Sequence, residues 1–327
     1  MKTTLKIFAV SLAVLLISVA DLSAKQLGGQ AGWFLRMGGA AADRIALGDA
    51  GVALVNNEQS WYYNPAGLAF AENRIVSLGY RSMSLDRSLM YAGMSIPIEP
   101  KAGVAFGILR AATANIDAYD SNGNMYDELS YSDNLIHGSF AIMPHPRFSM
   151  GVTIKWLISI VPDVKDDNKN LSSFGLSVDL GALVQPIDDL YFGLHIKDFD
   201  GRNTWESTDV WGDDSGAKED KFPPQIRLGI GFTGIEQLTV AGDLVIMTEI
   251  VGNDDLGFQQ HLGAEWSQPF SNDYSAAFRV GFNGTEPTFG FGLNWHTQSI
   301  EVHLSYAFLI DENSPNGAHM ATWGFEF

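Results

Sequence analysis

Five histidines, His137, His195, His261, His296 and His303, fall on the polar parity of runs whose other parity is apolar. Asp179, Glu265 and Glu301 lie on the same parity, so imidazole–carboxylate pairing is available. A hydrolytic relay needs a Ser, a His and a carboxylate within hydrogen-bond reach of one another. Here the histidines are spread over five separate runs, which fits a network of mutually satisfied side chains better than a relay. The chain is therefore expected not to be an enzyme, with no catalytic residue and no cofactor. Asp117-Ala-Tyr-Asp120-Ser-Asn122-Gly-Asn124 offers oxygen atoms at alternate positions, as calcium loops do. Its Gly is misplaced and the closing bidentate Glu is missing, so it reads as a solvated loop and no metal site is assigned. The acidic stretches Asp163 to Asp167 and Asp213 to Asp220 read as solvated loop charge, or as bridges to lipopolysaccharide through divalent cations.

The elements that must position these side chains are short and alternating. From Arg74 onward the hydrophobic period is 2. Ile300, Val302, Leu304, Tyr306 and Phe308 alternate with Glu301, His303, Ser305 and Ala307; Phe289, Phe291, Leu293 and Trp295 alternate with Gly290, Gly292, Asn294 and His296. Such runs start near Arg74, Ser88, Lys101, Leu135, Phe148, Phe174, Leu190, Gln225, Leu238, Gln259, Tyr274, Thr288, Ser299 and Ala318. Short turns, such as Glu99-Pro100 and Thr297-Gln298, alternate with longer connections at Ala111 to Asn134, Val161 to Ser173, Asp198 to Pro224, Val251 to Phe258 and Ile310 to Gly317. Short turns at one end and long loops at the other describe an outer-membrane barrel. The polar face carries Lys155, Asp179, Lys197, Arg227, Asp243, Glu265, Arg279, Glu301 and Glu326. So many charges do not suit the dry interior of a soluble β-sandwich. The expected fold is all-β, a 14-stranded antiparallel transmembrane β-barrel over residues 74–327, in a cell outer membrane and in contact with its lipid and lipopolysaccharide.

Bulk composition agrees. The 327-residue chain has 34 Gly, 12% aromatic residues, no Cys and a net charge of −18. Zero Cys removes disulfides and thiolate metal sites. Strong negative charge argues against nucleic acid as a partner. Lys2 and Lys6, the apolar run Ile7 to Ala20 and the small residues at Leu22-Ser23-Ala24 predict a signal peptide over 1–24.

Between signal and strands lies a stretch that lacks strand alternation, Gly38 to Phe70. Its first half is rich in small residues that allow close backbone approach. Its second half ends in Asn64-Pro65-Ala66-Gly67-Leu68, one turn capped by Asn64 with Pro65 at the first helical position. This predicts an N-terminal plug over 25–73, wedged by Trp61, Tyr62 and Tyr63. An ordinary glycine-rich lead-in loop is the alternative. The residues expected to matter are Arg44, Gly48, Gly51, Asn64, Pro65, Ala66, Gly67 and Leu68, as structural anchors; losing the Asn64 cap alone would cost about 1 kcal/mol.

Two blocks carry a family resemblance: Arg44-Ile-Ala-Leu-Gly48-Asp-Ala-Gly51-Val-Ala53, and Trp61-Tyr-Tyr-Asn64-Pro65-Ala66-Gly67-Leu68, separated by a spacer with Asn56-Asn57-Glu58. Together with the barrel pattern they resemble the PorV/PorQ family of outer-membrane proteins, relatives of the FadL-type fatty-acid channels. Ile45, Tyr62-Tyr63 and the spacer depart mildly from the family pattern. The resemblance implies one of two roles. One is a non-enzymatic component of type IX-like secretion that handles exported cargo and other secretion proteins. The alternative is a FadL-like channel for a hydrophobic small-molecule ligand.

Overall fold

The computed structural model describes residues 32–36, 39, 41–55, 59–165, 169–208, 216–247, 257–311 and 314–327. The expected signal peptide, Gly38, the spacer Asn56 to Glu58, the side chains of Asp163 to Asp167, and residues 213–215 of the Asp213 to Asp220 stretch lie outside the described residues.

Among the described residues three short helices come first: α1 (Trp33–Arg36), α2 (Ala42–Ala46) and α3 (Ser60–Tyr63), followed by a 3-10 helix, Pro65–Phe70. The strands then run β1 (Ile75–Met83), β2 (Arg87–Ile98), β3 (Ala102–Tyr119), β4 (Met125–His145), β5 (Phe148–Lys165), β6 (Lys169–Ile187), β7 (Leu190–Glu206) and β8 (Ala217–Lys221). They continue as β9 (Gln225–Ile235), β10 (Leu238–Met247), β11 (Gly257–Pro269), β12 (Tyr274–Asn283), β13 (Glu286–His296), β14 (Glu301–Asp311) and β15 (Ser314–Glu326). Each strand pairs antiparallel with its chain neighbours, except that β7 passes over β8 to pair with β9. The pairing of β1 with β15 closes the sheet. Fourteen strands thus form a closed antiparallel barrel, and closure leaves no free edge. The closed wall excludes the sandwich.

Three features differ from the sequence reading. Most of the long connections are strand rather than loop: β3 and β4 stay paired out to Tyr119↔Met125, and β5 and β6 out to Lys165↔Lys169. Their polar side chains hid the strand signal, because beyond an apolar band both faces of a hairpin meet water. A fifteenth strand, β8, lies in the connection expected over Asp198 to Pro224 and pairs only with the far end of β7. The turn beginning at Asn64 runs two residues further, to Phe70, as a 3-10 helix.

Face assignment follows the parity read from sequence. Leu304 and Phe291 are 40% and 49% exposed on the outside, whereas Arg279 on the inside is 8% exposed. Exposed Phe, Trp, Leu and Ile residues form an outer belt, with Trp295, Trp323, Phe325 and Phe327 near the short-turn end. A belt of this kind suits contact with hydrocarbon and aromatic interfaces. Leu304→Arg is expected to lower unfolding stability by about 2–4 kcal/mol, the range for a cation facing lipid near the midplane. A urea titration in lipid vesicles checks this; a cost near zero would contradict the outward assignment.

Candidate functional site

The polar faces of the strands meet the N-terminal segment, and glycines mark where. Side chains added at Gly290, Gly281, Gly263, Gly229, Gly193, Gly181, Gly151 and Gly103 would strike, in turn, Ala46, Gly48, Leu47, Val52, Val52, Asn64, Pro65 and Leu68. Read along the segment, residues 46–52 pass from β13 through β12 and β11 to β9 and β7, and residues 64–68 pass from β6 through β5 to β3. The segment is a belt inside the wall, descending through the strand order. Glycine allows its backbone to lie directly on the strands.

Polar side chains fasten this belt at several points. At the first, Gly48 (φ 70°) donates its N–H to Thr288 Oγ1 at 3.0 Å, Thr288 donates to the Ala46 carbonyl, and His261 Nδ1 donates to the Gly48 carbonyl at 2.7 Å. At the second, Asp243 Oδ2 accepts from the N–H groups of Gly51 and Val52 at 2.9 and 3.1 Å. Arg227 Nη2 lies 3.4 Å from that carboxylate and 3.6 Å from Asp49 Oδ2, and donates to the Asp49 carbonyl at 2.8 Å. Asp49 in turn accepts from Gly39 N–H and Tyr63 O–H.

The third point is Asn64. Its Oδ1 accepts from Ala66 N–H, as the cap predicts, and its Nδ2 donates to Val52 and to Ala182 of β6, at 2.8 and 3.0 Å. Asn64 therefore joins the two blocks of the segment to each other and to the wall. The cost of Asn64→Ala rises accordingly to about 2–3 kcal/mol, one cap plus buried carbonyls left without a donor. Faster trypsin cleavage at Arg36 and Arg44 in the folded barrel is the expected readout; unchanged cleavage would mean the segment is held elsewhere.

Around Asn64 the remaining expected residues take packing roles. Pro65 sits on Gly151 and Gly181, the Ala66 carbonyl accepts from Ser149 Oγ at 3.0 Å, Gly67 faces Ser60, and Leu68 is buried above Gly103. Arg44 contributes mainly through its carbonyl, which accepts from Leu47 and Asp49 N–H. Trp61, Tyr62 and Tyr63 are each 1% exposed. Trp61 stacks on His137 at 3.7 Å between centroids, and Tyr62 donates to the Leu35 carbonyl.

A fourth point was not legible as a site. Arg36 of α1 pairs with Asp198 at 2.9 Å, and Asp198 also pairs with Lys155, which contacts Asp179 at 2.6 Å. His195 lies 3.6 Å from Asp179, and Lys197 Nζ sits 3.4 Å from the Tyr62 ring centroid. By simple parity Asp198 points outward. It points inward because β7 carries two bulges between Ile196 and Arg202, with Asp198 and Asp200 at φ 58° and 50°. A bulge turns two successive residues to one face. The signal available was Asp198-Phe-Asp200-Gly201, turn-forming residues inside a strand run.

The chemistry of these groups is fastening. Ser139 Oγ lies 3.2 Å from His137 Nδ1, but the hydroxyl is bonded to Thr153 and the ring is covered by Trp61. In the expected calcium loop, Asp120 accepts from Asn122 N–H and from the N–H and Nδ2 of Asn124. Those bonds, led by the one from the Asn124 backbone, hold its carboxyl below the usual carboxylate range and use it to close its own turn.

Comparison with solved structures fits this geometry. The monoaromatic hydrocarbon channel CymD superposes with a TM-score of 0.61 at 12% identity, over 88% of this chain and 96% of that one. The Pseudomonas putida toluene transporter TodX gives 0.57 at 12% identity, over 88% and 97%. A Pseudomonas aeruginosa FadL homologue gives 0.54 at 10% identity, over 88% and 97%. The chain has the FadL-like barrel fold. No protein-family model and no curated protein sequence matches it. The PorV/PorQ branch of the resemblance gains nothing from these FadL-like neighbours.

Proposed function

We propose that the protein is an outer-membrane channel for a hydrophobic small molecule, with residues 25–73 acting as its plug. The observation that carries this reading is the N-terminal belt lining a closed wall of FadL-like fold. Three proteins compared above that share this fold are a monoaromatic hydrocarbon channel, a toluene transporter and a FadL homologue. Arg44, Gly48, Gly51 and Asn64 to Leu68 are, on this reading, the anchors that keep the plug seated. The belt is buried in an apolar cluster that includes Ile45, Trp61 and Leu68, and discrete hydrogen bonds and ion pairs fix its register on the wall; a small displacement can break and remake those polar links. The outer belt of Leu304, Phe291 and their neighbours faces lipid, and the charged turns face lipopolysaccharide.

The secretion reading rests on the two sequence blocks alone, and the compared channels favour transport. Reconstitution decides between them. Vesicles containing the protein should take up labelled monoaromatic or fatty-acid solutes faster than vesicles with a porin of unrelated fold, and Asn64→Ala should raise the rate. Uptake no faster than this control, together with loss of surface-attached cargo on deletion of the chain, would reject the channel and favour secretion.

A further inference from the structure

At the short-turn end of the barrel, away from the belt, three strands place a separate group of side chains on the inner face. His296 of β13 stands opposite Glu301 of β14, and Glu301 stands opposite Glu326 of β15. One step up, Asn294 stands opposite His303. Ligand atoms of Glu301, His303 and Glu326 all lie within 4.8 Å of one another. Two carboxylates directly opposite on one face repel each other, so this pair of glutamates is unfavourable unless a cation lies near.

The hydrogen bonds around the group show how it is aimed. Asn294 Nδ2 donates to Ser275 Oγ, which leaves Asn294 Oδ1 to accept from His303 Nδ1 at 3.0 Å. With Nδ1 turned to Asn294, the ring of His303 aims Nε2 at Glu326 Oε2, 3.1 Å away, so an imidazole nitrogen and a carboxylate oxygen face one point beside Glu301. Each ligand also has its own outer partner. His296 Nδ1 holds Glu301 Oε2 at 3.2 Å, Asn294 holds His303, and Asn73 Nδ2 donates to Glu326 Oε1 at 2.6 Å. Outer contacts of this kind fix the orientation of metal ligands.

We infer that Glu301, His303 and Glu326 form a binding site for a divalent transition-metal ion such as Zn²⁺. One imidazole with two carboxylates suits zinc and its neighbours better than calcium, which takes oxygen ligands only. A bound ion would join β14 to β15. Through Asn73 it would also brace the point where the N-terminal segment leaves the lumen and enters β1. It would thus pin the last strand of the barrel beside the seam that closes it.

The test uses the full mature chain, untagged, folded in detergent and stripped with chelator, titrated with Zn²⁺ and separately with Co²⁺ at neutral pH. One ion per chain should bind, with Co²⁺ giving the visible absorption of a site containing imidazole nitrogen. His303→Ala and Glu326→Gln should each weaken binding by at least about tenfold, and Asn294→Ala, which frees the ring, should weaken it by ~10-fold or more, as outer partners do. Heat-modifiable gel mobility shows that each variant is folded. Absence of binding by the native chain at millimolar Zn²⁺ would overturn the site, as would binding that survives both ligand substitutions. So would binding that moves with His137 or His261 instead.

Discussion

Arg227→Met should release the middle of the N-terminal belt and cost about 3–5 kcal/mol, the scale for removing one partner from a buried ionic group. Arg227 is the cation between Asp49 and Asp243, and all three are almost wholly buried. Methionine keeps much of the volume but leaves two carboxylates facing each other away from water. The relief open to the molecule is for Asp49 to leave with its segment. That breaks the hydrogen bonds from Gly51 and Val52 to Asp243 and the bond from Tyr63 to Asp49. The wall has its own ladder of strand pairs and should stay closed. Trypsin should therefore cut after Arg36 and Arg44 while the barrel still migrates as folded on a heat-modifiable gel. Adding Asp49→Asn and Asp243→Asn should recover part of the loss, and a mutant cycle measures the coupling. A variant as resistant to trypsin as the native chain would show that these charges do not hold the segment.

The wall was legible because a barrel repeats one instruction. Apolar-out, polar-in alternation is written separately into each strand, so errors at single positions do not change the reading. The strand ends were not legible, since β3 to β6 continue past the apolar band, where polar residues occupy both faces. Gly48, Gly51 and Asn64 stood out as backbone chemistry, in turns and a cap. Their partners were not, because Thr288, Asp243 and Ala182 are more than a hundred residues away in the chain. The glycines of the polar face, Gly263, Gly281 and Gly290 among them, were visible as a bias. Their reason is the belt pressed on them, which only the fold supplies. Asp198, read as the start of a connection, was not visible as an inward group, because a period-2 count does not survive a bulge.

Gly48→Val tests the tightest of those approaches. Gly48 has φ 70°, a conformation that a β-branched residue adopts only at a cost of about 1–2 kcal/mol. It also lies against the walls of β11 and β12: a Cβ there would sit 2.5 Å from the Leu262 carbonyl oxygen and 2.6 Å from the Phe282 carbonyl carbon. Both are backbone atoms within paired strands, so neither can move aside as a flexible side chain would. Overpacking of this kind adds about 1–3 kcal/mol. The segment must yield, and with it the Gly48 bonds to Thr288 and His261. Gly123→Val separates the two contributions. Gly123 has φ 82° in the β3–β4 turn with nothing within 4 Å of an added Cβ, so it carries the conformational cost without the collision. Gly48→Val should exceed Gly123→Val by the overlap cost in urea unfolding, and should expose Arg44 to trypsin while Gly123→Val does not. Equal costs for the two would mean that the segment does not rest on β11 and β12. A collapse of the barrel itself in Gly48→Val would mean that the belt is needed to fold the wall rather than to fill it.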